Sequence, residues 1–392
     1  MRSGSCRAPR LARAAVVVTA LCLGLGAARD ASAQTTRKLA YHIPAADSVR
    51  VLRDQPYRSA AGPLRYDLFL PGATPSERMP VVVVFNSGRG DARGIGINVG
   101  WARLLAASGF AAVTYESDTS GAVNNFDALA RALAARPVSD RLDLDRVALW
   151  AGSANVFGAL PLASDSMRQA IKSAVMYYGA ARVPSFRVDL PIQLVRAGLD
   201  QPGLLRMQDT LIMQAISANA PIEIVNHPSG EHPFEEAASR AGARIVEGSV
   251  AFLRRTLAPE FIGALAQEAL RAEAGAASYT GNWARAARAF ESLTERAPND
   301  FELQRKLADS RLAAGDAAGA ISAYLRSREL GHWRRGDIAI GLIVAYTQAG
   351  RREQAFTEIA NLPAQWDKAA ILRNNPMLVP YRNDPDFVQR MR

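Results

Sequence analysis

A serine, an aspartate and a histidine follow one another along this chain in settings that suit nucleophilic catalysis. Ser153 stands in the run A-G-S-A-N, Asp200 ends the run R-A-G-L-D, and His232 is the centre of the run G-E-H-P-F. A serine hydroxyl becomes a good nucleophile when a base removes its proton, and a neutral histidine can do so at about pH 7. A carboxylate behind the histidine holds the imidazole in the right tautomer. We therefore predict that these residues act as nucleophile, acid partner and base.

The surroundings of Ser153 predict a sharp turn between a strand, 146–150, and a helix, 154–163. Small neighbours allow such a turn, which would expose the hydroxyl above the helix N-terminus, where developing negative charge is favoured. The common pattern at such an elbow is G-x-S-x-G, but Ala151 stands for the first glycine and Asn155 for the last. Taken alone, the run fits a serine that caps a helix equally well. The order Ser, Asp, His along the chain favours the nucleophile.

The positions of the four histidines separate their roles. His42 precedes the predicted sheet, and His332 lies in the helical part of the chain. His227 ends a predicted strand, where packing or capping is the simpler role, whereas His232 lies in the loop that follows and is preferred as the base. For Asp200 the alternative to a catalytic role is a turn or cap at a strand end.

An acyl-transfer site also needs two N–H donors for the negative oxygen of its tetrahedral intermediate. One predicted donor is the backbone N–H of Ala154, directly after the nucleophile. The other comes from the loop 86–91, whose small residues allow close backbone approach, with Ser87 as first choice and Gly88 as second. The alternative is that this loop is a plain glycine-rich turn. Phosphate binding is disfavoured because the loop lacks the lysine of a P-loop.

The elements that would position these residues alternate between short apolar runs and segments with helical spacing. The apolar runs predict strands at 64–70, 81–85, 111–115, 146–150, 173–178, 191–197 and 221–226. The helical segments lie at 98–108, around 126–133, and at 154–163, 203–218 and 233–257, the last opening with Pro233. This alternation predicts an α/β fold, with a mostly parallel sheet and helices on both faces. The short stretch between the strands at 173–178 and 191–197 leaves no room for a lid.

After about residue 258 the strand pattern stops and the chain becomes rich in alanine, leucine and arginine. Three copies of a helical pattern place Ala286, Ala320 and Ala355 at spacings of 34 and 35 residues, each after a glycine. The period, the turn glycine and the small alanine resemble the tetratricopeptide repeat, and an irregular helical bundle is the alternative. We predict an α/β domain over 34–258 and an all-α repeat domain over 259–392, whose surface could bind a protein partner.

The first 33 residues have the features of an export signal. Four arginines precede an apolar stretch, and A-S-A at 31–33 fits the small-residue rule for cleavage. We predict a mature chain that begins near Gln34 and is periplasmic or secreted. An uncleaved anchor is the alternative, but the apolar stretch is shorter than the ~20 residues that span a bilayer. Both cysteines, Cys6 and Cys22, lie in this leader, so the mature chain would have no disulfide, thiol nucleophile or sulfur ligand for a metal.

The net charge of +10 comes from arginines that are scattered rather than clustered. Nucleic-acid-binding proteins concentrate basic residues in patches interleaved with aromatic side chains, so we predict no nucleic-acid partner. No apolar run after the leader is long enough to cross a membrane, and no motif indicates a cofactor or a metal.

Residues 64–257 resemble the dienelactone-hydrolase branch of the α/β hydrolases, through the three runs around Ser153, Asp200 and His232. The resemblance implies an α/β-hydrolase fold and hydrolysis of a small-molecule ester or lactone through an acyl-serine intermediate. Dienelactone hydrolases carry cysteine where this chain has Ser153. A peptidase or a sugar-ester deacetylase would use the same residues. The alternative from another class is an inactive hydrolase fold that acts with its repeats as a protein-interaction module.

Overall fold

The computed structural model describes residues 38–73, 75–331 and 335–391 of the chain. The predicted leader at 1–33, its cleavage site before Gln34, and His332 lie outside the described residues. Among the described residues, no helix combines the length and apolar character that crossing a membrane requires.

One mixed sheet of nine strands forms the centre of the first part of the described chain. The strands are β1 (Arg50–Arg58), β2 (Pro63–Leu70), β3 (Met79–Val84), β4 (Gly90–Asp91), β5 (Ala111–Ser117), β6 (Leu142–Gly152), β7 (Ile171–Tyr177), β8 (Ile192–Ala197) and β9 (Ile222–His227). Their order is β1-β2-β5-β3-β6-β7-β8-β9, with the short β4 beside β5. The β1–β2 and β2–β5 pairs are antiparallel, whereas every pair from β5 to β9 in this order is parallel. The carboxyl ends of the parallel strands therefore meet at one edge of the sheet.

Helices cover both faces of the parallel strands. They are α1 (Gly96–Ala107), α2 (Ala122–Ala134), α3 (Val156–Ser164), α4 (Pro202–Ser217) and α5 (Arg240–Thr256). Val81 and Val83 pack with residues of α2, α3 and α4, whereas Val82 and Val84 pack with α1 and α5. Since side chains of a strand alternate between the two faces, the two apolar clusters lie on opposite sides of the sheet. The predicted α/β architecture, with helices on both faces of a mostly parallel sheet, is confirmed.

The first strand and the last helix of this part differ from the sequence prediction. β1 has no apolar alternation to reveal it, because it is an edge strand with mostly exposed or half-exposed residues. The helix predicted at 233–257 begins only at Arg240, where the Ser239 hydroxyl accepts a hydrogen bond from the Gly242 N–H at 2.9 Å and caps the helix. The prediction that Pro233 opens this helix is therefore wrong. The other predicted elements overlap observed ones, with shifted ends.

The described chain after α5 is helical. The helices are α6 (Pro259–Tyr279), α7 (Trp283–Arg296), α8 (Phe301–Ala313), α9 (Ala317–Glu329), α10 (Arg335–Gln348), α11 (Arg352–Ala360), α12 (Lys368–Asn374) and α13 (Pro385–Arg390). They pack around an apolar cluster that shares no residue with the two clusters of the sheet.

The repeated residues of this helical part occupy equivalent environments. The three spaced alanines are fully buried in the helical cluster: Ala286, Ala320 and Ala355. The three glycines that precede them have φ between 72° and 87°, a backbone region that favours glycine: Gly281, Gly315 and Gly350. The α/β part is thus followed by a helical region, as predicted. Its assignment as a tetratricopeptide-like repeat and the domain limits 34–258 and 259–392 stay predictions.

Candidate active site

Ser153 occupies the sharp turn between β6 and α3. β6 ends at Gly152, a single 3-10 turn covers Ser153–Asn155, and α3 begins at Val156. Ser153 has a φ of 57°, in the left-handed region that residues other than glycine rarely adopt. Such strain at a strand-to-helix turn is typical of a nucleophile elbow, where it exposes the serine hydroxyl at the end of the sheet.

The loops that carry Asp200 and His232 are joined by backbone hydrogen bonds. The N–H of Gly198 donates to the carbonyl of His227 at 2.8 Å, and the N–H of Leu199 donates to the carbonyl of Gly230 at 2.9 Å. These bonds continue the pairing of β8 with β9 beyond the strand ends. They therefore tie the loop that carries Asp200 to the loop that carries His232.

The three sequence-predicted residues are connected by hydrogen bonds. His232 Nδ1 lies 2.7 Å from Asp200 Oδ2, and His232 Nε2 lies 2.9 Å from Ser153 Oγ. The Asp200 side chain is 3% exposed and the His232 side chain 28% exposed, so the acid is shielded while the imidazole meets the solvent. An ionised carboxylate only accepts, so Nδ1 carries the hydrogen of the first bond. Nε2 is then left to accept the hydroxyl hydrogen of Ser153.

The other oxygen of the Asp200 carboxylate is also engaged. Asp200 Oδ1 accepts a hydrogen bond from the N–H of Gln201 at 2.7 Å. Both carboxylate oxygens thus have a donor, which fixes the plane of the group against His232.

The loop 86–91 lies beside the elbow, but the two predicted donors in it are engaged. The Ser87 N–H donates to Asn155 Oδ1 at 2.9 Å, and the Gly88 N–H donates to Asn86 Oδ1 at 3.1 Å. No hydrogen-bond acceptor within the described chain takes the N–H of Ala154. Of the three predicted oxyanion donors, Ala154 is therefore the one whose N–H is available.

His227, the histidine not preferred as base, packs in the interior. Its side chain is buried, and its ring packs edge-to-face on Phe234 with centroids 4.9 Å apart. This contact agrees with the packing role that the sequence favours for His227.

Tyr178 contacts the imidazole of His232 and binds Glu235 with its hydroxyl. The ring of Tyr178 lies against the ring of His232, with centroids 4.3 Å apart. The Tyr178 hydroxyl donates to the carboxyl group of Glu235, which is almost fully buried. Burial, more than the nearby charge of Glu236, raises the pKa of Glu235 to about 7. Burial also raises the pKa of Tyr178 well above its usual range.

A cavity of about 360 Å³ opens beside Ser153 and His232. Part of its wall is apolar and comes from Ile95, Ile97 and Trp150. Three side-chain amides also line it: Asn86, Asn98 and Asn155. A cavity that combines apolar side chains with polar groups next to a reactive residue is typical of a small-molecule site.

Comparisons with known proteins give matches at the level of the fold. No protein-family model matches the chain, and no curated protein matches it. An esterase structure from Rhizomucor miehei is 14% identical, with 53% of this chain and 84% of that chain covered and a TM-score of 0.45. Esterase B from Lactobacillus rhamnosis is 16% identical, with 62% and 94% covered and a TM-score of 0.47.

A dienelactone hydrolase-like promiscuous phosphotriesterase from metagenomic libraries is 14% identical, with 53% of this chain and 98% of that chain covered and a TM-score of 0.41. Matches at these identities and TM-scores carry no activity or substrate over to this chain. The sheet order, the helices on both faces and the strained strand-to-helix elbow give the chain an α/β-hydrolase fold followed by a helical region.

Proposed function

We propose that this protein is a serine hydrolase that cleaves a carboxylic ester or lactone through an acyl-serine intermediate. The observation that supports the proposal is the continuous set of hydrogen bonds from Asp200 through His232 to Ser153, at an elbow where Ser153 has a strained backbone. A serine that only caps a helix needs neither the imidazole nor the buried acid behind it.

The proposed reaction follows from the roles of the three side chains. His232 Nε2 removes the hydroxyl proton as Ser153 Oγ attacks the carbonyl carbon, and the carbonyl oxygen takes the electron pair. The intermediate then expels the alcohol, which leaves with the proton from His232, and the acyl group stays on Ser153. Water attacks the acyl-serine and gives a proton to His232, and that proton returns to Ser153 as the acid leaves. Asp200 stabilises the charged imidazole in both halves.

The cavity limits the part of the substrate that can be enclosed. A volume of about 360 Å³ is at the lower end of small-molecule pockets, and its apolar wall suits a short acyl or alcohol group. We infer that a small ester or lactone is the substrate class. A sugar-ester deacetylase or a peptidase would use the same triad. Its substrate would differ in the part that extends beyond the cavity.

The test of this proposal is covalent labelling followed by kinetics. A fluorophosphonate probe should label the wild-type chain, and Ser153→Ala should lose both the label and several orders of magnitude in kcat on p-nitrophenyl acetate. The Ser153→Ala variant is a matched control, because it removes a single oxygen from the elbow. A wild-type chain that neither reacts with the probe nor hydrolyses the ester would instead support the inactive interaction module.

A further inference from the structure

The elbow holds a residue that its usual pattern lacks, and this residue binds the loop from which the second oxyanion donor was predicted. We propose that the side-chain amide of Asn155 donates a hydrogen bond to the oxyanion, in the role predicted for the backbone N–H of Ser87 or Gly88. This inference rests on the proposed acyl-transfer reaction. It assigns a catalytic contact to the position at which the sequence departs most from G-x-S-x-G.

Both N–H donors predicted in the loop 86–91 already have acceptors. The N–H groups of Ser87 and Gly88 each donate to a side-chain amide oxygen, at 2.9 and 3.1 Å. The acceptor for Gly88 is itself held in place, because Asn86 Nδ2 donates to the carbonyl of Gly90 at 3.2 Å. An oxyanion would have to displace one of these bonds to recruit the loop.

The contact with Ser87 fixes the orientation of the Asn155 amide. A backbone N–H can only donate, so the Asn155 atom 2.9 Å from the Ser87 nitrogen must be the oxygen. The Ser87 hydroxyl also lies 3.0 Å from this oxygen. The nitrogen Nδ2 is therefore the atom at the other end of the amide, and no acceptor in the described chain takes its hydrogens. Asn155 lines the cavity that Ser153 and His232 also line.

The loop 86–91 packs closely against the elbow and α3 around Asn155. A Cβ atom placed on Gly158 of α3 would lie 2.9 Å from the Cβ of Ser87, so glycine lets the loop approach the helix. The Ser87 hydroxyl also lies 3.2 Å from the carbonyl oxygen of Ala154. An oxyanion donor is effective when it is fixed before the charge develops, and these contacts provide that.

The resulting oxyanion site combines one backbone donor with one side-chain donor. The Ala154 N–H and Asn155 Nδ2 would both donate to the oxygen that takes the electron pair as Ser153 attacks. A donor of this kind acts on the tetrahedral intermediate more than on the bound ester, so its loss should change kcat rather than KM.

The test is the variant Asn155→Gly. It should lose activity if the Asn155 amide is the second donor and keep it if a loop N–H is. The variant restores the glycine of the common pattern and frees the Ser87 N–H. We expect kcat to fall about 10²–10³-fold with little change in KM, as loss of one oxyanion donor does elsewhere. The inhibition constant of a trifluoromethyl ketone, which forms an oxyanion with the serine, should rise by a similar factor. A variant with wild-type or higher kcat would show that the reaction does not need the Asn155 amide and would overturn the inference.

A second variant keeps the test open if Asn155→Gly does not fold, as judged by circular dichroism. Asn155→Asp keeps an oxygen for the Ser87 N–H but has no amide hydrogen, and we expect a loss of kcat at least as large. Retention of wild-type kcat by this variant would overturn the inference. Wild-type labelling by a fluorophosphonate is the separate control, because its absence would count against the hydrolase function and not against Asn155 alone.

Discussion

The hydroxyl of Tyr178 donates a hydrogen bond to the buried carboxyl group of Glu235, while the ring of Tyr178 lies against the imidazole of His232. Glu235 comes three residues after His232 in the chain, so the two ends of the same loop contact one tyrosine. Burial raises the pKa of Glu235 to about 7 from an ordinary value of 4.5. The support behind the imidazole therefore contains a group that titrates near neutral pH.

Glu235→Gln should change the pH dependence of stability. Between pH 4.5 and about 7 the folded chain holds the Glu235 proton while the unfolded chain has lost it, so this group makes wild-type stability fall as pH rises. The variant lacks this titration, and its unfolding free energy relative to wild type should increase by about 2–3 kcal/mol from pH 5 to pH 8. Urea unfolding followed by tryptophan fluorescence would measure this. A difference that is constant with pH would contradict the assignment.

Tyr178→Phe is the matched variant for this pair, because it keeps the ring against His232 and removes only the hydroxyl. The hydrogen bond from Tyr178 lowers the pKa of Glu235 and so opposes the effect of burial. Its loss should move the titration to higher pH, and the fall in stability should continue above pH 7. The same urea experiment detects the shift, and a titration that moves to lower pH would be the opposite of the expected result.

His232→Gln and His227→Gln should have opposite effects on turnover. His232 contacts both Ser153 and Asp200, so its loss should lower kcat by several orders of magnitude. His227 is buried and packs on Phe234, so its substitution should lower stability by about 1–3 kcal/mol and leave turnover close to wild type. p-Nitrophenyl acetate hydrolysis and thermal unfolding distinguish the two. Loss of turnover in the His227 variant alone would assign the base to the other histidine.

Asp200→Asn should reduce kcat by as much as about 10⁴-fold without unfolding the chain. The amide has nearly the shape of the carboxylate but can place a donor against His232 Nδ1, which favours the wrong tautomer. Single-turnover kinetics would separate this effect from a change in binding. Activity close to wild type would instead support the alternative that Asp200 is a turn residue, whose carboxylate accepts the hydrogen bond from the Gln201 N–H.

Ala320→Arg should destabilise the helical part and spare the hydrolase part. Ala320 is fully buried in the helical cluster, where a large side chain costs about 1–3 kcal/mol and an unpaired buried charge costs more. Because the clusters of the sheet share no residue with it, turnover of a small ester should persist.

Residues 34–258 alone should likewise fold and hydrolyse a small ester, because the apolar clusters of the sheet contain no residue of the helical part. A folded 34–258 chain without turnover would show that the helices complete the active site.

The sequence predicts the parallel sheet and the triad candidates because both depend on local patterns. Ser153, Asp200 and His232 each follow a predicted strand closely, and parallel strands bring such strand ends to one edge of the sheet. The edge strand β1 could not be predicted, since its residues lack apolar alternation. The start of α5 depends on the cap at Ser239. The sequence indicates an earlier start, because a proline such as Pro233 is common in the first turn of a helix.

Contacts between distant segments account for the parts of the site that the sequence does not reveal. Asn155 and Ser87 are 68 residues apart, and Tyr178 and Glu235 are 57 apart. Glutamate is usually exposed, so nothing in the run P-F-E-E marks the first acid as buried. The sequence shows that Asn155 departs from the elbow pattern, but its contact with Ser87 requires the close approach of α3 to the loop 86–91.

Residues 178–191 join β7 to β8 without forming a helix or strand that could cover Ser153. Reactions beneath a moving cover wait for that cover to open. In the described chain, the stretch 178–191 provides no such cover over the Ser153 hydroxyl. For the proposed esterase, the missing cover predicts how the turnover rate differs between dissolved ester and ester droplets. Turnover should rise with the concentration of dissolved ester and level off once further ester only adds to droplets. An oil–water surface should not increase it, because this stretch forms no cover for the surface to open.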